Sequence, residues 1–150
     1  MIESVSFISQ RDVQLLGPDS RLAIVSITDD ADALIPQCDS YVRLRFLDIS
    51  PDVNCGYIPT ADFYSYHEGV MCPGQAVMLK MFLDRVMRAP HLDKLVVHCY
   101  HGRFRSASVA LYLSEHYGVP IDRPVTHRNE HVYKILNDPY YVEKETKKKK

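Results

Sequence analysis

Lys94-Leu95-Val96-Val97-His98-Cys99-Tyr100-His101-Gly102-Arg103-Phe104-Arg105-Ser106 is the stretch that decides the fold. Lys94–His98 is a short, valine-rich apolar run, the pattern of a buried strand. Cys99–Arg105 reads as a tight turn around Gly102. Ser106–Tyr117 reads as a helix, closed by Gly118 and followed by Pro120. Ala107, Val109, Ala110, Leu111 and Leu113 cover more than one stripe of that helix, so it is predicted to be well buried.

The same alternation extends outward. Val5–Ser9 is a partly alternating first strand. Arg21–Thr28 is β-branched and apolar, a strand buried on both faces, and Gly17-Pro18-Asp19 before it is turn chemistry. Tyr41–Ile49 alternates in its first half and is predicted as a further strand. Pro73-Gly74 opens a helix whose Leu79, Phe82, Leu83 and Val86 fall at i, i+3, i+4, i+7, and Ala89-Pro90 ends it. Asn129–Leu136 is predicted as a last helix with Val132, Ile135 and Leu136 inward. Ser50–Cys72 has few periodic cues and is expected to be a long loop holding at most a short helix. Strands separated by helices predict an α/β fold, one domain over residues 1–146 with a mostly parallel central sheet flanked by helices. Lys147–Lys150 is a like-charge block, expected to be a disordered tail.

The bulk numbers fit that reading. A chain of 150 residues, 46% hydrophobic and 25% charged, can bury one core without disulfide or metal staples. A formal net charge of -1 argues against general nucleic-acid binding. No apolar run is long enough for a membrane span, and the N-terminus lacks the basic and apolar segments of an export signal. A cytoplasmic location with reduced thiols is therefore expected. The four cysteines, Cys38, Cys55, Cys72 and Cys99, show no C-x-x-C spacing, so neither a zinc knuckle nor a thioredoxin motif is expected.

In parallel sheets ligands bind beyond the carboxyl ends of strands, beside helix N-termini, and Cys99 falls at such a place. A loop curled with its N–H groups inward makes an anion nest, strengthened by the positive end of the helix dipole. Gly102 permits the backbone angles a nest requires. Arg105 adds two parallel donors and a full charge, matching two phosphate oxygens. The same field favours the nucleophilic thiolate of Cys99. Ser106 is placed to hydrogen-bond the sulfur and help it leave. His98 is placed to orient the loop, or is a satisfied buried histidine. The other three cysteines are an internal control: their sixth following residues are Leu44, Ala61 and Met78, so only Cys99 is followed by the arginine.

His98-Cys99-x-x-Gly102-x-x-Arg105-Ser106 resembles the signature of the protein tyrosine phosphatase superfamily. The chain is similar to its compact dual-specificity branch, and more closely to small bacterial phosphatases of that type. Arg43–Ile49 is similar to the strand leading into the family's general-acid loop. Asn129–Leu136 is similar to the C-terminal segment of the bacterial members. His101, Phe104 and the longer spacing created by Ser50–Cys72 depart from the family pattern.

The resemblance implies a metal-free, two-step hydrolysis of phosphomonoesters through a cysteinyl-phosphate. Cys99 is the implied nucleophile. Tyr100, His101, Gly102, Arg103, Phe104 and Arg105 are the implied phosphate-binding loop, which inorganic phosphate or sulfate would also fit. Asp48 is the implied general acid, with Asp52 as reserve and Asp62 behind it. Phosphorylated proteins or other phosphomonoesters are the implied substrates. Two other readings stay open: a phosphate-binding module with little turnover, and a rhodanese-type sulfurtransferase, which also sets a reactive cysteine before a helix.

A few residues invite further readings. His101 and Arg103 could widen the positive field at the mouth. His127 and His131, four apart, have metal-ligand spacing on a helix but lack the glutamate of a zinc hydrolase motif, so a polar helix face is expected. Cys55 or Cys72 could form a protective disulfide with Cys99 on oxidation. Tyr57, Tyr64 and Tyr66 either wall the pocket or pack the long loop onto the core.

Overall fold

The computed structural model describes residues 1–51 and 63–147. The order of elements is β1 (Ser4–Ser9), α1 (Gln10–Gln14), β2 (Asp19–Thr28), β3 (Cys38–Arg45), α2 (Phe63–Tyr66), α3 (Pro73–Met87), β4 (Lys94–Cys99), α4 (Arg105–Tyr117), α5 (Glu130–Asn137) and α6 (Tyr141–Lys147). The strands form one four-stranded sheet in the order β1-β4-β2-β3, and every pair is parallel. This is a single α/β domain with helices against the sheet.

The apolar pattern places the helices. On α3, Leu79, Phe82, Leu83 and Val86 are all buried, as their spacing predicts. On α5, Val132, Ile135 and Leu136 are fully buried. α4 buries eight of its thirteen residues. These helices cover one face of the sheet, where Val5, Val25, Ile27, Leu95, Val97 and Cys99 belong to the main core. Each fully buried Leu or Ile there contributes about 1.5–3 kcal/mol. The smaller cluster of Val13, Leu22, Ile24 and Val96 lies on the opposite face, under α1. Since β2 has neighbours on both faces, Leu22–Thr28 is buried without interruption.

Several boundaries differ from the sequence expectations. β3 runs Cys38–Arg45 rather than Tyr41–Ile49. Phe46 N–H still donates to Thr28 O at 3.1 Å, but Leu47 N–H turns to Gly69 O at 2.6 Å, so the ladder stops and Asp48 falls in a loop. α1 is a five-residue helix with too little length for a periodic signal. Ser9 Oγ caps it by accepting from Asp12 N–H at 3.1 Å. α2 is a short helix inside the long loop. α6 was not predicted and carries the chain on to Lys147. Asn129 is the N-cap of α5, its Oδ1 accepting from Val132 N–H at 3.0 Å.

Parallel strands put all four carboxyl ends at one edge of the sheet: Ser9, Thr28, Arg45 and Cys99. Ser9 pairs in register with Cys99, and Ser26 with His98. The outer edge of β1 is covered by the chain after α4, where Val5 N–H donates to Pro120 O at 3.0 Å and Asp122 N–H to Val5 O at 3.1 Å.

Candidate functional site

β4 delivers Cys99 to the carboxyl edge of the sheet, and α4 begins six residues later at Arg105. Cys99 is 2% exposed, and its Sγ lies 3.2 Å from Ser106 Oγ. Arg105, 3% exposed, donates from Nη1 to the Asp29 carboxylate at 2.7 Å and to Phe46 O at 2.6 Å. Its Nε–H is buried with no hydrogen-bond partner among the described residues. A buried donor left unpaired is costly, so an acceptor that reached it would be stabilised there.

The loop between them is held by its carbonyls. Tyr100 O accepts from Gln10 N–H at 3.1 Å. Gly102 O accepts from Arg123 Nη2 at 2.7 Å. Phe104 O accepts from Ser108 N–H at 3.0 Å and from Ser108 Oγ at 2.7 Å. In a trans peptide the following N–H points opposite to the carbonyl, and the chain has no cis peptide bond among the described residues. The N–H groups of His101, Arg103 and Arg105 therefore face away from the three groups that anchor the carbonyls. This arrangement presents donors to an anion.

Gly102 makes the curl possible. Its φ is +69°, and a Cβ there would sit 2.4 Å from both Ile8 C and Ser9 N. Both atoms belong to the backbone of β1, so neither can swing aside. Arg123 secures the same point from the other side. Its guanidinium lies 3.9 Å from the centre of the Phe7 ring and donates from Nη2 to Phe7 O at 2.5 Å as well as to Gly102 O.

His98 is fully buried on the other face of β4, with Nε2 2.6 Å from Ser26 Oγ. Burial lowers its pKa to about 4, with the positive charges of Arg43 and Arg105 adding to the effect against an opposing interaction with the Cys99 backbone. His98 is thus neutral at pH 7, an uncharged hydrogen-bonding group on the face of β4 opposite Cys99. Tyr100, His101 and Arg103 are exposed at the mouth. Phe104 is half-buried, with its ring 5.3 Å from His127 and the Arg103 guanidinium 5.8 Å above it.

Asp48 is exposed, three residues beyond β3. Asn129 Nδ2 donates to its Oδ1 at 2.8 Å. The carbonyl of Phe46, two residues before it, holds Arg105, which brings the Asp48 and Cys99 loops together at one edge. Asp52, Cys55, Tyr57 and Asp62 lie outside the described residues. Cys72 is the N-cap of α3, half-buried and free. Tyr64 packs against the core, while Tyr66 is exposed.

The polar helix face expected for His127 and His131 is a correction. His127 precedes α5, and its ring lies tilted against Phe104. His131 is 1% exposed, and its ring nitrogens are engaged by Tyr141 OH and Met71 O, both at 2.6 Å. Their four-residue spacing does not place them on one helical surface, because the helix begins between them.

Asp29 and Arg123 escaped the sequence reading. Asp29 directly follows β2 at the carboxyl edge, and the rule that parallel sheets bind ligands there would have flagged it. Arg123 had no local signal, since it reaches Gly102 from a loop twenty-one residues away. No protein-family model, no curated protein and no solved structure matches the chain.

Proposed function

We propose that the chain is a cysteine-dependent phosphomonoester hydrolase, most simply a protein-tyrosine or dual-specificity phosphatase. The observation that carries this reading is the buried Cys99 Sγ, 3.2 Å from Ser106 Oγ, in a loop whose carbonyls are held by Gln10, Arg123 and Ser108. Such a loop combines a nucleophile with donors for an oxyanion, and Arg105 adds a buried charge with an unpaired Nε–H. No helix among the described residues is long and apolar enough to cross a membrane. A reducing, cytoplasmic setting suits the chemistry, because the thiol must stay reduced.

In this reading Cys99 attacks phosphorus, forming the S–P bond as the P–O bond to the leaving group breaks. The N–H groups along Tyr100–Phe104 and the Arg105 guanidinium take the non-bridging oxygens. Asp48 gives a proton to the leaving oxygen and then receives one from the attacking water. Ser106 Oγ supports the sulfur as the S–P bond breaks. Substrates are phosphorylated proteins or other phosphomonoesters, and inorganic phosphate or sulfate competes for the loop.

The test is hydrolysis of p-nitrophenyl phosphate by the full chain in buffer with EDTA and reductant. Turnover, inhibition by vanadate, and loss of turnover in Cys99→Ser and Arg105→Ala are expected. No turnover by the wild type overturns the reading. Formation of a Cys99 persulfide from thiosulfate, with transfer to cyanide, would replace it by sulfur transfer.

A further inference from the structure

We propose that Asn129 is a positioning residue for Asp48, and that the first turn of α5 fixes the acid-bearing loop onto the Cys99 loop. The inference rests on the phosphatase reading above and assigns the control of its proton donor.

Asn129 is 3% exposed, and both ends of its amide are used. Oδ1 accepts from Val132 N–H at 3.0 Å as the cap of α5. A cap needs an acceptor, so the amide orientation is fixed and Nδ2 must face the other way. Nδ2 carries two protons and has two acceptors, Asp48 Oδ1 at 2.8 Å and Ile49 O at 3.2 Å. One side chain therefore caps a helix and holds the carboxyl of a residue eighty-one positions earlier.

The backbone of Asn129 is tied to the Cys99 loop. Its N–H donates to Ser108 Oγ at 2.7 Å, and that hydroxyl donates to Phe104 O at 2.7 Å. Phe104 is the residue before Arg105. A continuous path thus runs from Asp48 through Asn129 and Ser108 to the last residue of the loop. The first turn of α5 adds a second tether. His131 N–H donates to Ser50 Oγ at 3.0 Å, and the His131 ring donates from Nε2 to Met71 O while Nδ1 accepts from Tyr141 OH. Asn129 and His131 together grip 48–50 and Met71, which flank the long loop.

This arrangement decides where the proton sits. Oδ1 of Asp48 accepts from Asn129, so the protonated acid carries its hydrogen on Oδ2. When the P–O bond breaks, that proton passes from Oδ2 to the leaving oxygen and the carboxylate remains bound to Asn129. In the second step Oδ2 accepts a proton from water as water's oxygen bonds to phosphorus and the S–P bond breaks.

The test compares wild type, Asp48→Asn, Asn129→Ser and Asn129→Asp on phenyl phosphate, a poor leaving group, and 2,4-dinitrophenyl phosphate, a good one. Both Asn129 variants keep an oxygen for the helix cap and lose the amide Nδ2 that reaches Asp48, and circular dichroism melts verify that they fold. Asn129→Ser should lose about 10- to 100-fold in kcat/KM on phenyl phosphate and less than about threefold on 2,4-dinitrophenyl phosphate, since a good leaving group needs no acid. Vanadate affinity should stay at the wild-type value. Equal loss on both substrates would mean a general distortion and overturns the proposal. So does a wild-type response in both Asn129 variants, or an Asp48→Asn variant without leaving-group dependence. Absence of wild-type turnover on either substrate sinks the phosphatase reading itself, a result distinct from these.

Discussion

Cys99 and Arg105 are sealed under the loop they belong to, 2% and 3% exposed, and held by groups from β1, α1, α4 and the chain after β2. Asp48 stands a short way along the same edge, exposed to solvent, with one carboxyl oxygen held by a side chain from α5. The first region is fixed by backbone geometry and the second by a borrowed amide. The contrast fits their proposed tasks. An oxyanion site gains from donors that do not reorganise during reaction, in surroundings that exclude water. A proton donor must meet leaving groups of varied shape and exchange its proton with water.

Substitutions at the two loops should separate these roles. Cys99→Ser is expected to cut kcat on p-nitrophenyl phosphate by about ten-thousandfold or more, because Cys99 is the proposed nucleophile. Asp48→Asn is expected to lose about 100- to 1,000-fold at neutral pH and to flatten one limb of the pH–rate profile. If the two losses were equal on every leaving group, the division between nucleophile and acid would collapse.

Stability should show the same asymmetry. Gly102→Ala forces a Cβ to within 2.4 Å of β1 backbone at a φ of +69°. It is expected to cost about 3 kcal/mol or more in urea unfolding. A similar cost for an alanine at Asp48 would break the comparison, because that side chain is exposed.

The buried region should also be the more sensitive to acid. His98 is held neutral, with its pKa lowered from 6.5 to about 4, chiefly by burial. The unfolded chain then binds more protons than the folded one as pH drops below about 6.5. Stability from this group is complete above that pH and falls progressively toward pH 4, by roughly 3 kcal/mol. Burial lowers the pKa of His131 in the same direction. Urea titrations between pH 7 and 4 should show a shallower loss in His98→Asn than in wild type. An unchanged slope would contradict the buried, neutral assignment. The smallest effect is expected at the exposed Arg45–Asp32 pair, 3.1 Å apart, where Arg45→Ala should cost under about 0.5 kcal/mol.

The same division explains what could be read from the sequence. The Cys99 loop is contiguous, and its glycine, arginine and serine have local physical reasons to be where they are. The apolar patterns of β2, α3 and α5 are likewise local, and all three elements formed near their predicted bounds. Asp48 was placed by resemblance alone, and its tether was invisible because Asn129 lies eighty-one residues away. β3 ended early because its last carbonyls and N–H groups found partners in Arg105 and Gly69, contacts with no trace in the strand's own alternation. Asp29 and Arg123 were missed for the same reason: each acts on the loop through folding rather than through spacing.

The proposed mechanism requires Cys99 to carry a covalent phosphoryl group during turnover. The most direct test is acid quenching of the 150-residue protein during turnover of p-nitrophenyl phosphate, followed by peptide mass spectrometry. One phosphoryl group on Cys99, absent from the Cys99→Ser protein, is the predicted result. Turnover without that adduct, and undiminished in Cys99→Ser, would contradict the account.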